Sequence, residues 1–337
     1  MASDAGAAFC AALTTRYHSP WWLPGGHLQT VYPYFLLRRA PPPYRRERWE
    51  TPDADFIDLD WVSTEDQSGP LVVLFHGLEG SSTSHYATAL MRAVLRKRWR
   101  GVVVHFRGCS GEPNRMARAY HSGDADEIAW ILQRLRAMHP TAALFAVGVS
   151  LGGNALLKWL ARAQASARTT VTAAAAVSAP LDLMAAGDRL GKGINRLYGR
   201  HFLNTLKTKS LAKLQRFPGL YDAGVVRNAR TLREFDNVVT APLHGFRDTD
   251  DYWQRASSKG NLHGIAIPTL IVHARNDPFL PGRHLPGPGE VSHCVTLDFP
   301  PGGGHCGFVS GSFPGNLDWV PNRLLAFFAA NIASPSS

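Results

Sequence analysis

The sequence predicts an α/β fold with a mostly parallel central sheet and helices on both faces. Four continuous apolar runs have the composition of strands that are buried on both faces. These runs are residues 71–75, 101–106, 143–149 and 171–177. Helical stretches are predicted between them, at about 84–97, 122–138 and 152–162. Apolar strands that alternate with helices are typical of a parallel sheet, because each helix returns the chain to the end of the sheet at which the previous strand began.

The chain has 337 residues, a length that favours one core with one inserted segment. Residues 1–45 are rich in proline, glycine and tryptophan, and we expect an irregular arm that packs on the core. Within 46–62, Ile57, Leu59 and Trp61 alternate with polar residues, which predicts a half-buried antiparallel strand.

The remaining core is predicted to comprise residues 46–180 and 263–337, with strands near 267–274 and 291–297 and a closing helix near 317–330. Between the two parts, residues 181–262 contain helical, basic and aromatic segments without a clear buried strand. We therefore expect this segment to form a helical lid. Tyr252 and Trp253 could line an acyl pocket there, although packing between lid and core is the more common role for such residues.

Composition excludes several classes of protein. No apolar run approaches the roughly 20 residues that cross a bilayer, and residues 1–15 do not resemble a secretory signal. The four cysteines (Cys10, Cys109, Cys294 and Cys306) have neither disulfide-scaffold nor zinc-ligand spacing. We therefore expect a cytoplasmic protein that needs neither metal nor organic cofactor, and we interpret Cys306 as a small packing residue.

The formal net charge of +10 raises the question of an anionic partner. The sequence contains no nucleic-acid-binding motif, and its aromatic residues are not interleaved with its basic clusters. A solvated basic face is the simpler interpretation, and no nucleic acid is expected as a partner. Peripheral contact with an anionic membrane surface remains open.

Ser150 is the predicted nucleophile. It lies in the sequence Gly-Val-Ser-Leu-Gly at 148–152, which matches the G-x-S-x-G motif. The motif follows a predicted buried strand and precedes a predicted helix, as a nucleophile elbow requires. Glycine is needed on both sides because the sharp turn leaves no room for side chains.

An acid and a base follow in the order typical of this site, serine, acid, histidine. Asp277 comes just after the strand predicted at 267–274, and His305 lies in a glycine-rich loop after the strand predicted at 291–297. Asp298 and His293 are weaker alternatives, because both lie within or at the end of a predicted strand. We expect His305 to be the base that activates Ser150 and Asp277 to orient it.

An oxyanion hole is predicted from the backbone N–H groups of Leu78 and Leu151. Leu78 lies in the His-Gly-Leu-Glu-Gly turn after the first buried strand, and Leu151 follows the nucleophile. Two such donors stabilise the developing oxyanion of a tetrahedral intermediate. His76 is interpreted as structural, as is Ser110 in the Arg-Gly-Cys-Ser-Gly turn.

Taken together, six motifs resemble the YheT-like branch of the α/β-hydrolase superfamily, which is similar to eukaryotic abhydrolase-domain lipid hydrolases. They lie at residues 26–30, 76–81, 107–111, 120–124, 148–154 and 304–308. The resemblance implies an α/β-hydrolase fold and hydrolysis of carboxylic esters, with short-chain esters, acylglycerols or phospholipids as substrates. It also implies the same triad of Ser150, Asp277 and His305.

The predicted function is thus a serine hydrolase that cleaves small-molecule carboxylic esters through an acyl-enzyme. Two alternatives remain from the sequence. The same triad serves thioesterases, amidases and acyltransferases, whose substrates are selected by pocket shape. A hydrolase-like fold can also lack catalytic activity and act as a binding protein.

Overall fold

A computed structural model describes residues 16–37, 39–63 and 68–332. Within these residues, eight strands form one sheet in the order β1-β2-β4-β3-β5-β6-β7-β8, in which β3 to β8 run parallel and β1 and β2 pair antiparallel. The predicted mostly parallel sheet is therefore confirmed. The strands are β1 (Arg45–Glu50), β2 (Phe56–Val62), β3 (Leu71–Phe75), β4 (Arg100–His105), β5 (Leu144–Val149), β6 (Ala173–Val177), β7 (Thr269–Val272) and β8 (Val295–Asp298).

Helices cover both faces of the sheet. They are α1 (Gly26–Leu36), α2 (His85–Arg96), α3 (Ala125–Met138), α4 (Leu151–Ala163), α5 (Leu183–Leu190), α6 (Arg196–Arg216), α7 (Ala223–Asn228), α8 (Leu232–Val238), α9 (Thr240–Leu243), α10 (Thr249–Ala256) and α11 (Trp319–Ile332). Successive side chains of β3 enter opposite cores: Val73 packs with α3 and α4, whereas Leu74 packs with α2 and α11. This arrangement explains why the central strands are apolar at every position.

The predicted strand within 46–62 is a hairpin of two strands, β1 and β2. The prediction that it is half-buried was wrong, because β2 is buried at all seven positions. The carboxylates of Asp58 and Asp60 each accept a hydrogen bond of 2.7 Å, from Arg48 and Arg46 of β1 respectively. These arginines compensate the charges, which allows the polar positions of β2 to lie in the interior.

Part of the predicted irregular arm is helical. Helix α1 occupies residues 26–36 and contains Pro33. A side chain at Gly26 would overlap the backbone carbonyl of Asn276, so the helix begins directly against the loop that follows β7. The sequence did not predict this helix, because glycine and proline both have low helix propensity and lie directly before it and within it.

Residues 181–262 contain helices α5 to α10 and no strand. Tyr252 joins these helices to the core, because its hydroxyl accepts a hydrogen bond from the Ser122 amide at 2.9 Å. Trp253 packs within the segment, and its indole donates to Asp236 of α8 at 2.8 Å. Their observed contacts are thus those of packing residues. That the segment acts as a lid remains a prediction.

Candidate active site

Ser150 lies in the turn between β5 and α4. Its backbone has φ 53° and ψ −121°, a conformation that is strained for a residue with a side chain. A Cβ atom at Gly152 would lie 2.5 Å from the carbonyl oxygens of Phe75 and His76, and one at Gly148 would overlap Gly152. The glycines therefore allow the turn, and the turn presents the Ser150 hydroxyl beyond the carboxyl end of β5.

The structure brings the three predicted side chains together. The Nε2 atom of His305 lies 3.0 Å from the Oγ atom of Ser150, and its Nδ1 atom lies 2.8 Å from Oδ2 of Asp277. These distances form one hydrogen-bonded chain from carboxylate through imidazole to hydroxyl. The arrangement is that of a nucleophile, a base and a group that orients the base.

Electrostatics support ionised Asp277 beside a basic imidazole. Burial alone would raise the pKa of Asp277, but His305 and a hydrogen bond from the Phe279 amide hold that pKa below its ordinary value. Burial alone would lower the pKa of His305, whereas the Asp277 carboxylate outweighs this effect and raises it. The pair therefore favours the imidazolium form that arises when the imidazole accepts a proton.

The loop that carries His305 is fixed by three polar side chains. Gln29 accepts a hydrogen bond from the Gly303 amide at 2.7 Å, and Asn276 accepts one from the Gly304 amide at 3.0 Å. Thr30 accepts one from the amide of His305 itself at 2.9 Å. Sequence reasoning assigned none of these roles, although the His-Leu-Gln-Thr motif at 27–30 was part of the family resemblance.

The turn after β3 lies directly against the nucleophile. A Cβ atom at Gly77 would be 3.0 Å from Cβ of Ser150. The Gly77 amide donates to the Tyr86 hydroxyl at 2.9 Å, and the Glu79 amide donates to the Tyr120 hydroxyl at 2.8 Å. Sequence reasoning gave neither tyrosine a role, although Tyr120 begins the motif at 120–124, because nothing in the local pattern links them to this turn.

Between these two anchored amides lies the amide of Leu78. Neither the Leu78 N–H nor the Leu151 N–H has an acceptor among the residues that the structure describes. Both amides belong to turns that flank Ser150, and both remain available to a ligand. Two free backbone donors beside a serine hydroxyl are what an oxyanion hole requires.

A second hydrogen-bond network joins this turn to helix α6. The Glu79 carboxylate accepts from the Tyr120 hydroxyl at 2.9 Å and from the Lys209 ammonium at 2.6 Å. Because Lys209 belongs to α6, the segment predicted to be a lid contacts the turn next to Leu78.

The aromatic ring beside the imidazole belongs to Phe279, in the loop after β7, and two aromatic side chains of α6 pack against it. The Phe279 ring lies 4.1 Å from the His305 ring, and Tyr198 and Phe202 pack against Phe279 at 5.0 and 6.2 Å between centroids. One side of the site is therefore an aromatic wall, defined by Tyr198, Phe202 and Phe279.

The alternative acid and base lie elsewhere. Asp298 pairs with Arg323 at 2.8 Å, and the nearest polar contact recorded for His293 is the neighbouring Cys294 thiol at 3.4 Å. His76 is fully buried and accepts from the Phe106 amide, and burial lowers its pKa to about 3. Each has structural contacts and none reaches Ser150.

The Arg-Gly-Cys-Ser-Gly turn at 107–111 also has structural contacts. Arg107 is buried and binds Glu127 at 2.6 Å and Asp53 at 2.8 Å.

Cys306 is buried beside His305, whereas Cys10 lies outside the described residues. In the part of the chain that the structure describes, no cluster of histidine, cysteine and acidic residues has metal-binding geometry, and no helix there is long and apolar enough to span a membrane.

Comparison with known proteins agrees with this geometry. The family model of the α/β-hydrolase fold matches residues 70–312. The chain is 41% identical over 302 residues to the Escherichia coli (strain K12) protein named "Putative esterase YheT", and the match covers 88% of each chain. It is 29% identical to human Phospholipase ABHD3, a match that covers 96% of this chain and 81% of the relative.

A solved structure, the esterase EaEST from Exiguobacterium antarcticum, shares the fold with a TM-score of 0.52 at 17% identity, covering 85% of this chain and 99% of that one. The chain therefore belongs to the α/β-hydrolase family. Within that family it is an enzyme of the ester-hydrolase group, and the resemblance predicted from the motifs is confirmed.

Proposed function

We propose that the chain is a serine hydrolase that cleaves carboxylic esters through an acyl-enzyme. Ser150 is the nucleophile, His305 the general base and then the general acid, and Asp277 the group that orients the imidazole. The proposal is supported above all by the continuous hydrogen-bonded chain from Asp277 through His305 to Ser150, with distances of 2.8 and 3.0 Å.

In the first step, the Ser150 hydroxyl attacks the ester carbonyl while His305 takes its proton. The oxyanion that forms accepts hydrogen bonds from the amides of Leu78 and Leu151. Each such donor contributes about 3 kcal/mol to the lowering of the barrier. Collapse of the intermediate expels the alcohol, which receives the proton from His305.

In the second step, water attacks the acyl-serine with His305 again as base, and the acid product leaves. Asp277 remains ionised throughout and stabilises the imidazolium. All proton transfers take place between the substrate, water and residues of this chain.

The aromatic wall favours substrates with an apolar group. Phe279 stands beside His305, and the half-buried Tyr198 and Phe202 that pack against Phe279 provide apolar surface for an acyl chain or an apolar alcohol. The relatives named Phospholipase ABHD3 and, in Saccharomyces cerevisiae, Monoacylglycerol lipase lead us to propose acylglycerols and phospholipids, in addition to simple esters.

The test is hydrolysis of p-nitrophenyl esters from acetate to palmitate by the wild type and Ser150→Ala. Ser110→Ala is the matched control, since Ser110 also lies in a glycine-flanked turn but outside the site. We expect activity in the wild type and the control, none in Ser150→Ala, and fluorophosphonate labelling at Ser150. Equal activity of Ser150→Ala and wild type would refute the mechanism, and an unlabelled, inactive wild type would favour a non-catalytic binding protein.

A further inference from the structure

An exposed apolar surface is formed by helix α1, the start of α6 and the loop residues next to them. Seven large apolar side chains there are mostly in solvent, among them Trp21 at 90%, Phe313 at 74% and Phe35 at 65% exposure. We define this set as the apolar platform. Its members are Trp21, Leu28, Phe35, Leu36, Ile194, Leu197 and Phe313.

Helix periodicity places two platform residues, Leu28 and Phe35, on one side of α1, and Leu36 is exposed at the last position of the helix. Leu28 and Phe35 are two turns apart and therefore share a face, whereas Gln29 and Pro33 point to the opposite side and are buried. The exposed face thus belongs to a helix whose inner side is fully used by the fold.

Contacts between side chains join the parts of the platform into one surface. On one flank, His27 of α1 hydrogen-bonds Tyr198 of α6 at 3.1 Å, and Tyr198 is next to Leu197. On the other flank, Trp22 packs between Tyr32 and Phe313 at 5.3 and 5.4 Å. The platform therefore runs from the loop at 313 across α1 to α6.

The two segments that carry most of the platform are basic, and the acidic residues that flank the platform, Asp188 and Asp318, are paired with Arg233 and Arg96. Residues 16–46 and 189–221 contain no aspartate or glutamate. Lys192, Arg196 and Arg200 are exposed and alternate with Ile194 and Leu197. A protruding set of aromatic and aliphatic side chains with a basic rim matches the boundary of an anionic bilayer, which accepts apolar groups below and cations at the headgroups.

The platform also lies close to the candidate site. The inner side of α1 carries Thr30, which holds the amide of His305, and Tyr198 contacts Phe279 beside the imidazole. A surface that binds the platform would therefore lie over the α1–α6 seam, next to the aromatic wall.

We propose that the apolar platform docks the protein on the surface of an anionic lipid bilayer. The benefit to catalysis rests on the proposed function, since an ester hydrolase docked in this way would draw its substrates from the lipid surface. The docking itself requires only the platform and its basic rim.

The test measures co-sedimentation of Ser150→Ala, which keeps lipid intact, with vesicles of phosphatidylcholine alone or mixed with phosphatidylglycerol. We expect binding to the mixed vesicles that Phe35→Asp with Leu197→Asp weakens at least about tenfold. Replacing Arg196 and Arg200 with serine should weaken it about fivefold for each arginine, only on mixed vesicles. Met138→Asp with Val225→Asp is the matched control, because both residues are about half exposed outside the platform.

Equal binding of the platform and control variants, or no binding to either vesicle, would overturn the proposal. So would a platform-dependent dimer that binds no vesicles, which would assign the surface to a second copy of this chain. Hydrolysis of p-nitrophenyl acetate by the protein that retains Ser150 separates the two proposals. Activity without vesicle binding would refute only the docking surface, and vesicle binding without activity would refute only the proposed function.

Discussion

Substitution of Gly77 by alanine tests the geometry of the oxyanion hole most directly. The new Cβ atom would lie 3.0 Å from Cβ of Ser150 and 3.6 Å from its hydroxyl oxygen. Carbon atoms are in optimal contact at about 3.5–4.0 Å, so the turn must withdraw by several tenths of an ångström. That movement shifts the adjacent Leu78 amide away from the oxyanion.

Loss of one oxyanion donor costs about 10²- to 10³-fold in kcat, and a partial displacement should cost less. We therefore expect Gly77→Ala to lower kcat on p-nitrophenyl butyrate about 10- to 50-fold while the protein stays folded by circular dichroism. Gly260→Ala is the control, because no atom lies within 4 Å of its added Cβ. A folded Gly77→Ala variant with kcat close to that of the control would refute the placement of the oxyanion hole.

Three further predictions follow from side-chain contacts and from the directions in which neighbouring groups shift pKa values. Tyr120→Phe removes the hydroxyl that accepts from the Glu79 amide and so loosens the turn that carries Leu78. We expect kcat to fall about tenfold with KM unchanged. An effect on KM alone would contradict this prediction. Asp277 raises the pKa of His305 above 6.5, so kcat/KM should rise with pH through a midpoint above 6.5. Asp277→Asn should lower the midpoint of this pH profile and should also lower kcat about 10⁴-fold. An unchanged midpoint would contradict the pairing of Asp277 with His305. Burial alone would raise the pKa of Asp60, but hydrogen bonds to its carboxylate hold that pKa well below its usual range. Ionised Asp60 therefore stabilises the folded protein at neutral pH, and this stabilisation is lost on acidification below about pH 4. In urea unfolding, the free energy of unfolding of Asp60→Asn should fall less steeply with decreasing pH than that of the wild type. Identical slopes for the two proteins would refute the assignment.

The sequence was sufficient to predict the mostly parallel sheet, and the three residues that it proposes as catalytic, Ser150, Asp277 and His305, are side chains that the structure brings together. Buried strands can be recognised locally as continuous apolar runs. The position of an active site at the carboxyl ends of such strands can then be predicted from the order of the elements alone. The strand bounds differ from the prediction by a few residues at most of the central strands, and the three side chains lie within hydrogen-bonding distance of one another.

The burial of β2 could not be predicted in the same way. Alternation of Asp58 and Asp60 with apolar residues is normally a sign of one solvent-facing side. Here arginines of β1 compensate both carboxylates, and Ser82 and His105 also donate to Asp60. Such compensation depends on residues that meet only after folding.

Helix α1 poses the same problem more strongly, since its function depends on a partner 275 residues away. Thr30 and the amide of His305 are in contact only because α1 begins against the loop that follows β7. Its inner face must be polar to hold the backbone of that loop, and its outer face is apolar. Seen as a sequence, this is a helix with inverted polarity, which periodicity would assign the wrong way round. The inversion has a physical reason if the outer face meets a bilayer. One helix then holds the backbone of His305 on one side and binds the lipid surface on the other, so that one helix diameter, roughly 10 Å, separates the two tasks.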